Sequence, residues 1–554
     1  MVSMDLDTII RDLNKRFAAP LPEFYKRRII FWYDEDREFE DKLDDIQIDN
    51  AKLLVLTGTN NFAAKKLLNV DDTTSNYLVY SPISYESQED DWLLNIELYS
   101  EEFRADLVSI WMNEIDLPAT LDFRRLVKVY KKFFGAQNRR AAFAKLNKGI
   151  STPSQMHLTV MAAICVADNA QPNSIVKAVI ADGTDMETNE VFQNLVNYEA
   201  EAPFWALVKQ ATGYFEGENS TINKLVTHIL LTATTRTLRM EYLAGLDSFI
   251  STPHQAWCYD FVSEWIAGEN RQELVKILRN VEEELILRKR FQQVPLDDLV
   301  GTEVFPCVNE CILTQIMTQI NNHIINVDAI TNTVEKRRTL AWYDDVECYY
   351  EGILQVAKMQ AFFLEHSAGF HTVEARNVWK EYTEDYYRMD TYYRQYHLAF
   401  GKSLTVGNDH LDDLFKQVTD KVEGIYTNWF LGELGNNWSD ACADELAQYG
   451  RVLEVPQQVD FYNRKVMGED NRVFVIISDA FRYEVAASLT EQLRRETQSK
   501  VTLGSCAGIF PTVTKFGMAA LLPHKQLSVG EHSNGDLQIL ADGMSTDAGN
   551  RDKV

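Results

Sequence analysis

The chain has 554 residues, 45% of them hydrophobic and 11% aromatic, with a formal net charge of −27. That length exceeds one ordinary core and predicts about three or four domains, while the apolar content excludes a largely disordered chain. The acidic balance excludes a generic nucleic-acid binder, whose far field must attract phosphate, and no run of about 20 apolar residues marks a membrane span.

The opening "MVSMDLDTIIRDL" carries early acids and no apolar signal-peptide core. The first hundred residues then alternate strand and helix signals. "RIIFWYD" (28–34), "KLLVLTG" (52–58) and "NYLVYSP" (76–82) read as strands, with "WLLNIELY" (92–99) as a fourth. "DREFEDKLDDI" and "NFAAKKLL" read as the helices between them. Apolar runs separated by amphipathic helices predict a Rossmann-like parallel sheet covered on both faces. Asp34, Glu35 and Asp36 follow the first strand, at the edge where such sheets bind ligands. No acid follows the second strand, which ends in Thr57-Gly58, and the chain has no GxxxxGK[ST]. A small structural or docking domain over 1–100 is therefore preferred to a ligand pocket.

Residues 101–455 read as a mostly helical middle region, with apolar residues recurring at three and four. "DFRRLVKVYKKFFGAQNRRAAFAKLNK" (122–148) runs against the overall charge, with nine Lys or Arg and one acid. Phe123, Leu126, Val127, Tyr130 and Phe134 trace one helical face; Arg124, Arg125, Lys128, Lys131 and Lys132 fall mostly elsewhere. A solvated helix face is the plain reading, and a nucleic-acid or partner patch the sharper one. Tyr382, Tyr386, Met389, Tyr393, Tyr396 and Phe400 follow a four-three alternation that predicts a core seam rather than a base-stacking platform. His366 and His371 do not share a helix face. The seven cysteines are odd in number and scattered, with Cys307 and Cys311 the one close pair, and read as reduced thiols of a cytoplasmic protein.

"EVPQQVDFYNRKVMGEDNR" (454–472) reads as a linker into a last α/β domain, residues 456–554. Val473 to Ile477 predicts an interior parallel strand, which places Asp479 at its carboxyl end. A carboxylate there is placed to bind a divalent cation, or else caps the following helix. "KVTLGS" reads as a further strand. In "GIFPTVTKFGMAALLPH", Pro511, Thr512 and Val513 disfavour helix, and Thr514 is expected to cap a helix over 515–522. A hydroxyl at that place faces free backbone N–H groups, which suits a phosphoryl group. Lys515 would add charge.

"VIISDAFRYEVA", "FPTVTKFGMAALLPH" and "ILADGMST" together resemble the opening motifs of the PglZ family, and "RRIIFWYDEDREFEDKL" resembles the start of such proteins. That family belongs to the alkaline phosphatase superfamily and serves the bacterial BREX phage-defence systems. The resemblance implies an alkaline-phosphatase-like α/β domain at the C-terminal end and a metal-dependent phosphodiesterase or phosphatase. It implies Asp479 as a metal ligand and Thr514, with Thr512 as the rival, as nucleophile and second ligand. Arg482 and Lys515 would bind phosphate; zinc or manganese would be the ion. Other BREX proteins, and DNA as an alternative, would be the partners. A non-catalytic scaffold is the competing reading. The superfamily's later Asp and His ligands have no evident counterpart before Val554, and His524 reads as structural. The reading therefore expects a chain truncated within its catalytic domain and inactive alone.

Overall fold

The computed structural model describes residues 3–554 except 36, 38, 84, 86–89, 105–106, 119 and 269–270, so Asp36 lies outside the described residues. The chain forms two compact units, residues 1–236 with 243–274, and residues 237–242 with 275–554.

In the first unit, β1 (Ile29–Tyr33), β2 (Lys52–Val55), β3 (Tyr77–Ser81) and β4 (Glu101–Phe103) form one parallel sheet in the order β2-β3-β1-β4. β1 and β3 are the central strands, and their aromatic and β-branched residues are buried on both faces. On one face Leu6, Ile9, Leu13 and Phe17 of the helix Ser3–Ala18 pack on Ile30, Trp32 and Tyr80. On the other, Ala64, Leu68, Leu93 and Ile96 pack on Phe31 and Val79. The expected strand at 92–99 is instead a turn and the short helix Leu94–Glu97. Its buried residues, Leu93 and Ile96, are three apart, whereas a strand needs alternation; the Asp91 carboxylate accepts from Leu93 N at 2.8 Å and starts the turn. Asp34 is buried structurally, accepting from Phe39 N at 2.9 Å and from the Tyr80 hydroxyl at 2.5 Å.

The rest of this unit is helical. The basic stretch folds as Leu121–Val129, Lys131–Phe134 and Gln137–Leu146, with Phe123, Val127, Tyr130 and Phe134 buried as the spacing predicts.

The second unit is a helical assembly followed by the C-terminal segment. The tyrosine seam lies in a π-helical turn, Tyr382–Tyr386, and the helix Tyr387–Ser403. Met389 and Tyr396 are fully buried; Tyr386, Tyr393 and Phe400 pack on Phe362, Phe370, Tyr426 and Phe415, and Tyr382 meets Tyr483. The seam is core.

After residue 472 the structure departs from expectation. Val473–Ile477 and 500–505 are not strands, and all five residues of the first are exposed, Ile476 to 93%. A parallel strand is held by ladder neighbours, and no described segment pairs with 473–477. The later stretch is tied by Trp379 Nε1–H to Ser505 Oγ and is followed by a parallel bridge between Gln457 and Ala507. The two expected helices form, as Tyr483–Glu496 and Thr514–Leu521, and an antiparallel sheet of β5 (Leu527–Glu531), β6 (Leu537–Ala541) and β7 (Met544–Ser545) follows. Among the described residues no helix is long and apolar enough to cross a membrane.

Candidate functional site

Asp479 and Thr514 lie 35 residues apart, and folding brings them into contact. The Thr514 hydroxyl donates to the Asp479 carboxylate, 3.2 Å from Oδ1 and 3.3 Å from Oδ2, with both residues exposed.

Each side is positioned by its own local structure. Asp479 precedes Ala480, which takes a left-handed φ of 55° and donates its N–H to Asp479 Oδ1 at 3.0 Å. A non-glycine residue there is strained, and such strain persists only where surrounding structure enforces it. The helix Tyr483–Glu496 begins three residues later and is anchored to the rest of its unit. Glu484 at its start has no exposure and accepts from Arg394 Nε at 2.8 and 3.0 Å. The Tyr483 hydroxyl donates to Thr383 O at 2.9 Å, and its ring meets Tyr387 edge to face.

On the other side, Val513 rather than Thr514 is the N-cap, with extended φ and ψ and no side-chain cap bond. Thr514 is the first helical residue, and its hydroxyl serves Asp479 instead of the backbone. Phe516 N and Gly517 N both donate to Val513 O at 3.0 Å and close the first turn.

The remaining candidates are elsewhere engaged. Lys515 Nζ donates to Leu537 O, and Arg482 lies 3.6 Å from Glu484 Oε1. Thr512 faces a cleft, not Asp479. His524 Nδ1 lies 2.7 Å from Leu522 O, and His532 pairs with Asp547 at 3.0 Å. In the first unit Arg124 donates to Ser109 Oγ at 2.7 Å and Lys132 to Asn197, while Arg125, Lys128 and Lys131 are exposed.

Among the described residues no three His, Cys, Asp or Glu side chains gather as a metal cluster. The donors at hand are the two Asp479 oxygens and Thr514 Oγ, hard ligands that fit part of a divalent-cation shell.

Sequence reasoning missed the Arg394–Glu484 pair and the cleft walls. An acid at 484 on the face that also carries Ala487 and Thr490 was the available signal for the first. Two glycines three apart, Gly432 and Gly435, inside a helical stretch were the signal for the second.

Comparison with known proteins gives a consistent likeness. Residues 461–554 match the family model described as the BREX system PglZ alkaline phosphatase-like domain. The chain is 30% identical over 537 residues to an alkaline phosphatase-like protein PglZ of Bacillus cereus (strain H3081.97), covering 96% of this chain and 62% of that protein. It is 28% identical over 564 residues to an alkaline phosphatase-like protein BrxZ of Escherichia coli O9:H4 (strain HS), covering 98% and 64% respectively. The chain thus spans less than two thirds of the length of these relatives. No solved structure matches it significantly.

Proposed function

We propose that this chain, whose residues 461–554 belong to the PglZ family, serves a bacterial BREX defence system as part of a metal-dependent phosphodiesterase or phosphatase with Thr514 as nucleophile. The observation that carries the reading is the Thr514–Asp479 contact at the start of a helix.

Asp479 holds the threonine hydroxyl by its hydrogen bond and orients Oγ. The N-terminal end of the helix Thr514–Leu521 presents free backbone N–H groups to a phosphoryl oxygen. Oγ gives up its proton to solvent and forms a bond to phosphorus as the bond to the leaving oxygen breaks; the leaving oxygen takes a proton from water, and a second water then cleaves the phosphothreonine ester and restores the hydroxyl. A divalent ion, zinc or manganese, held by Asp479 and Thr514 would supply a lowered hydroxyl pKa and neutralise phosphate charge. Thr512 is disfavoured as nucleophile because it faces the cleft. Lys515 and Arg482 enter as phosphate ligands only if they leave Leu537 O and Glu484.

The test is hydrolysis of a chromogenic phosphodiester with added zinc or manganese, by this chain and by a version extended to the length of its relatives. Thr514→Ala is expected to lower turnover by about 10³-fold or more, and Thr512→Ala by less than about threefold. Undiminished turnover in Thr514→Ala overturns the assignment.

A second reading, a scaffold for other defence proteins, is favoured by the exposed apolar run Val473–Ile477. Co-purification with BREX proteins that is lost in Phe474→Ser/Ile476→Ser, together with no turnover by the unsubstituted chain or its extended version, would favour it. Docking on DNA through Arg125, Lys128 and Lys131 predicts salt-dependent binding that charge reversal abolishes.

A further inference from the structure

We infer that an apolar cleft beside the Thr514 loop seats the aromatic ring of the substrate, a nucleobase, while the phosphate meets Thr514; the inference rests on the function proposed above. The cleft has a volume of about 540 Å³ and lies wholly in the second unit. That is within the range of roughly 300–1,000 Å³ typical of small-molecule sites.

Its walls carry two indoles. Trp379 and Trp438 line it with indole centroids 6.1 Å apart and planes at 43°. Trp379 is fixed by its Nε1–H, which donates to Ser505 Oγ at 3.2 Å. Indole faces stack on any nucleobase without regard to sequence. Both indoles pack against a small core of Ala375, Cys442, Val452 and Val455.

Gly435 marks the cleft as space held open. It lies inside the helix Gly432–Tyr449, where glycine weakens the helix, and it lines the cleft. A Cβ added there would meet nothing within 4 Å, so no close packing requires the glycine. What its missing side chain leaves is room.

The cleft and the candidate nucleophile share one wall. Thr512 lines the cleft two residues before Thr514, at most about 7 Å along the chain. Gln458, also in the wall, accepts from Ile509 N at 3.1 Å and donates to Gly517 O at 3.4 Å, one turn into the helix that Thr514 begins. Arg451 at the cleft places a cation beside a ligand that must carry phosphate.

The experiment is titration of the chain with AMP, phenyl phosphate and ribose 5-phosphate, followed by tryptophan fluorescence and calorimetry. AMP and phenyl phosphate are expected to bind saturably, and ribose 5-phosphate at least about tenfold more weakly. Gly435→Leu and Trp438→Ala should each weaken AMP at least about tenfold, whereas Gly435→Ala, which leaves the room, should stay within about twofold. A short single-stranded oligonucleotide that binds more tightly than AMP assigns the ring to nucleic acid; equal binding assigns it to a mononucleotide. Either supports the site. Absence of saturable AMP binding up to about 10 mM, ribose 5-phosphate binding equal to AMP, or indifference to Gly435→Leu overturns it. Because the readout is binding, the two proposals fail separately. Turnover that survives Thr514→Ala removes the nucleophile and leaves the ring site standing; AMP binding unmoved by Gly435→Leu does the reverse.

Discussion

Glu484 is a carboxylate without solvent; Arg394 meets both its oxygens at 2.8 and 3.0 Å, and Arg482 lies 3.6 Å from Oε1. Removing one partner of a buried pair leaves the other charged and dry. Arg394→Ala, which leaves Glu484 only the more distant Arg482, should therefore destabilise the second unit by about 1–3 kcal/mol, read by chemical denaturation. The pair joins residues 90 positions apart, so nothing local announces it. The sequence singled out Asp479 and Thr514, and folding brings them into contact, but the strand expected to end at Asp479 does not form. The place of Thr514 within its helix was not legible, since a threonine hydroxyl offered a carboxylate prefers it to the backbone. Gly435→Ala, with its Cβ in open space, should stabilise the same unit by about 0.5–1 kcal/mol. Glu97 gives a prediction in pH. Burial, foremost, and the neighbouring Asp91 raise its pKa to about 7, opposed by a hydrogen bond from Tyr33. The folded state then binds this proton more tightly than the unfolded chain. Stability from this group is complete below about pH 4.5 and falls as pH rises toward 7. Glu97→Gln should melt higher than the parent chain at pH 8 and equal to it at pH 4.

The strands show where sequence is a sufficient guide and where it is not. β1 and β3 read clearly because they are central and buried on both faces. β4 is three residues at an edge, with Glu102 exposed, and too short to carry a pattern. Val473–Ile477 carries the same apolar signature as β1 yet lies open. Composition states a capacity to be an inner strand; neighbouring strands decide whether it is used. The amides of 473–477 should exchange with solvent far faster than those of β1 and β3, as measured by hydrogen exchange. Phe474→Ser/Ile476→Ser should lower dye binding to exposed apolar surface and self-association, with stability changed by less than about 0.5 kcal/mol.

Across the molecule, charge and architecture work on different things. A net charge of −27 sets a repulsive far field, so any DNA contact through Arg125, Lys128 and Lys131 must be local and steeply salt-dependent, with a slope of about −0.9 per phosphate neutralised. The architecture is helical in bulk, and its division into two units was not visible as a linker of Gly and Pro. The C-terminal segment's helix leans on the earlier helices of its own unit through Arg394, Tyr387 and Thr383. A ribosome delivers those residues first. When Glu484 emerges, Arg394 and the tyrosine shelf are already present in the nascent chain, so the helix that carries it can meet its partners as soon as it is made. The order of synthesis thus acts as an assembly guide, and the last segment is built onto the chain's own past.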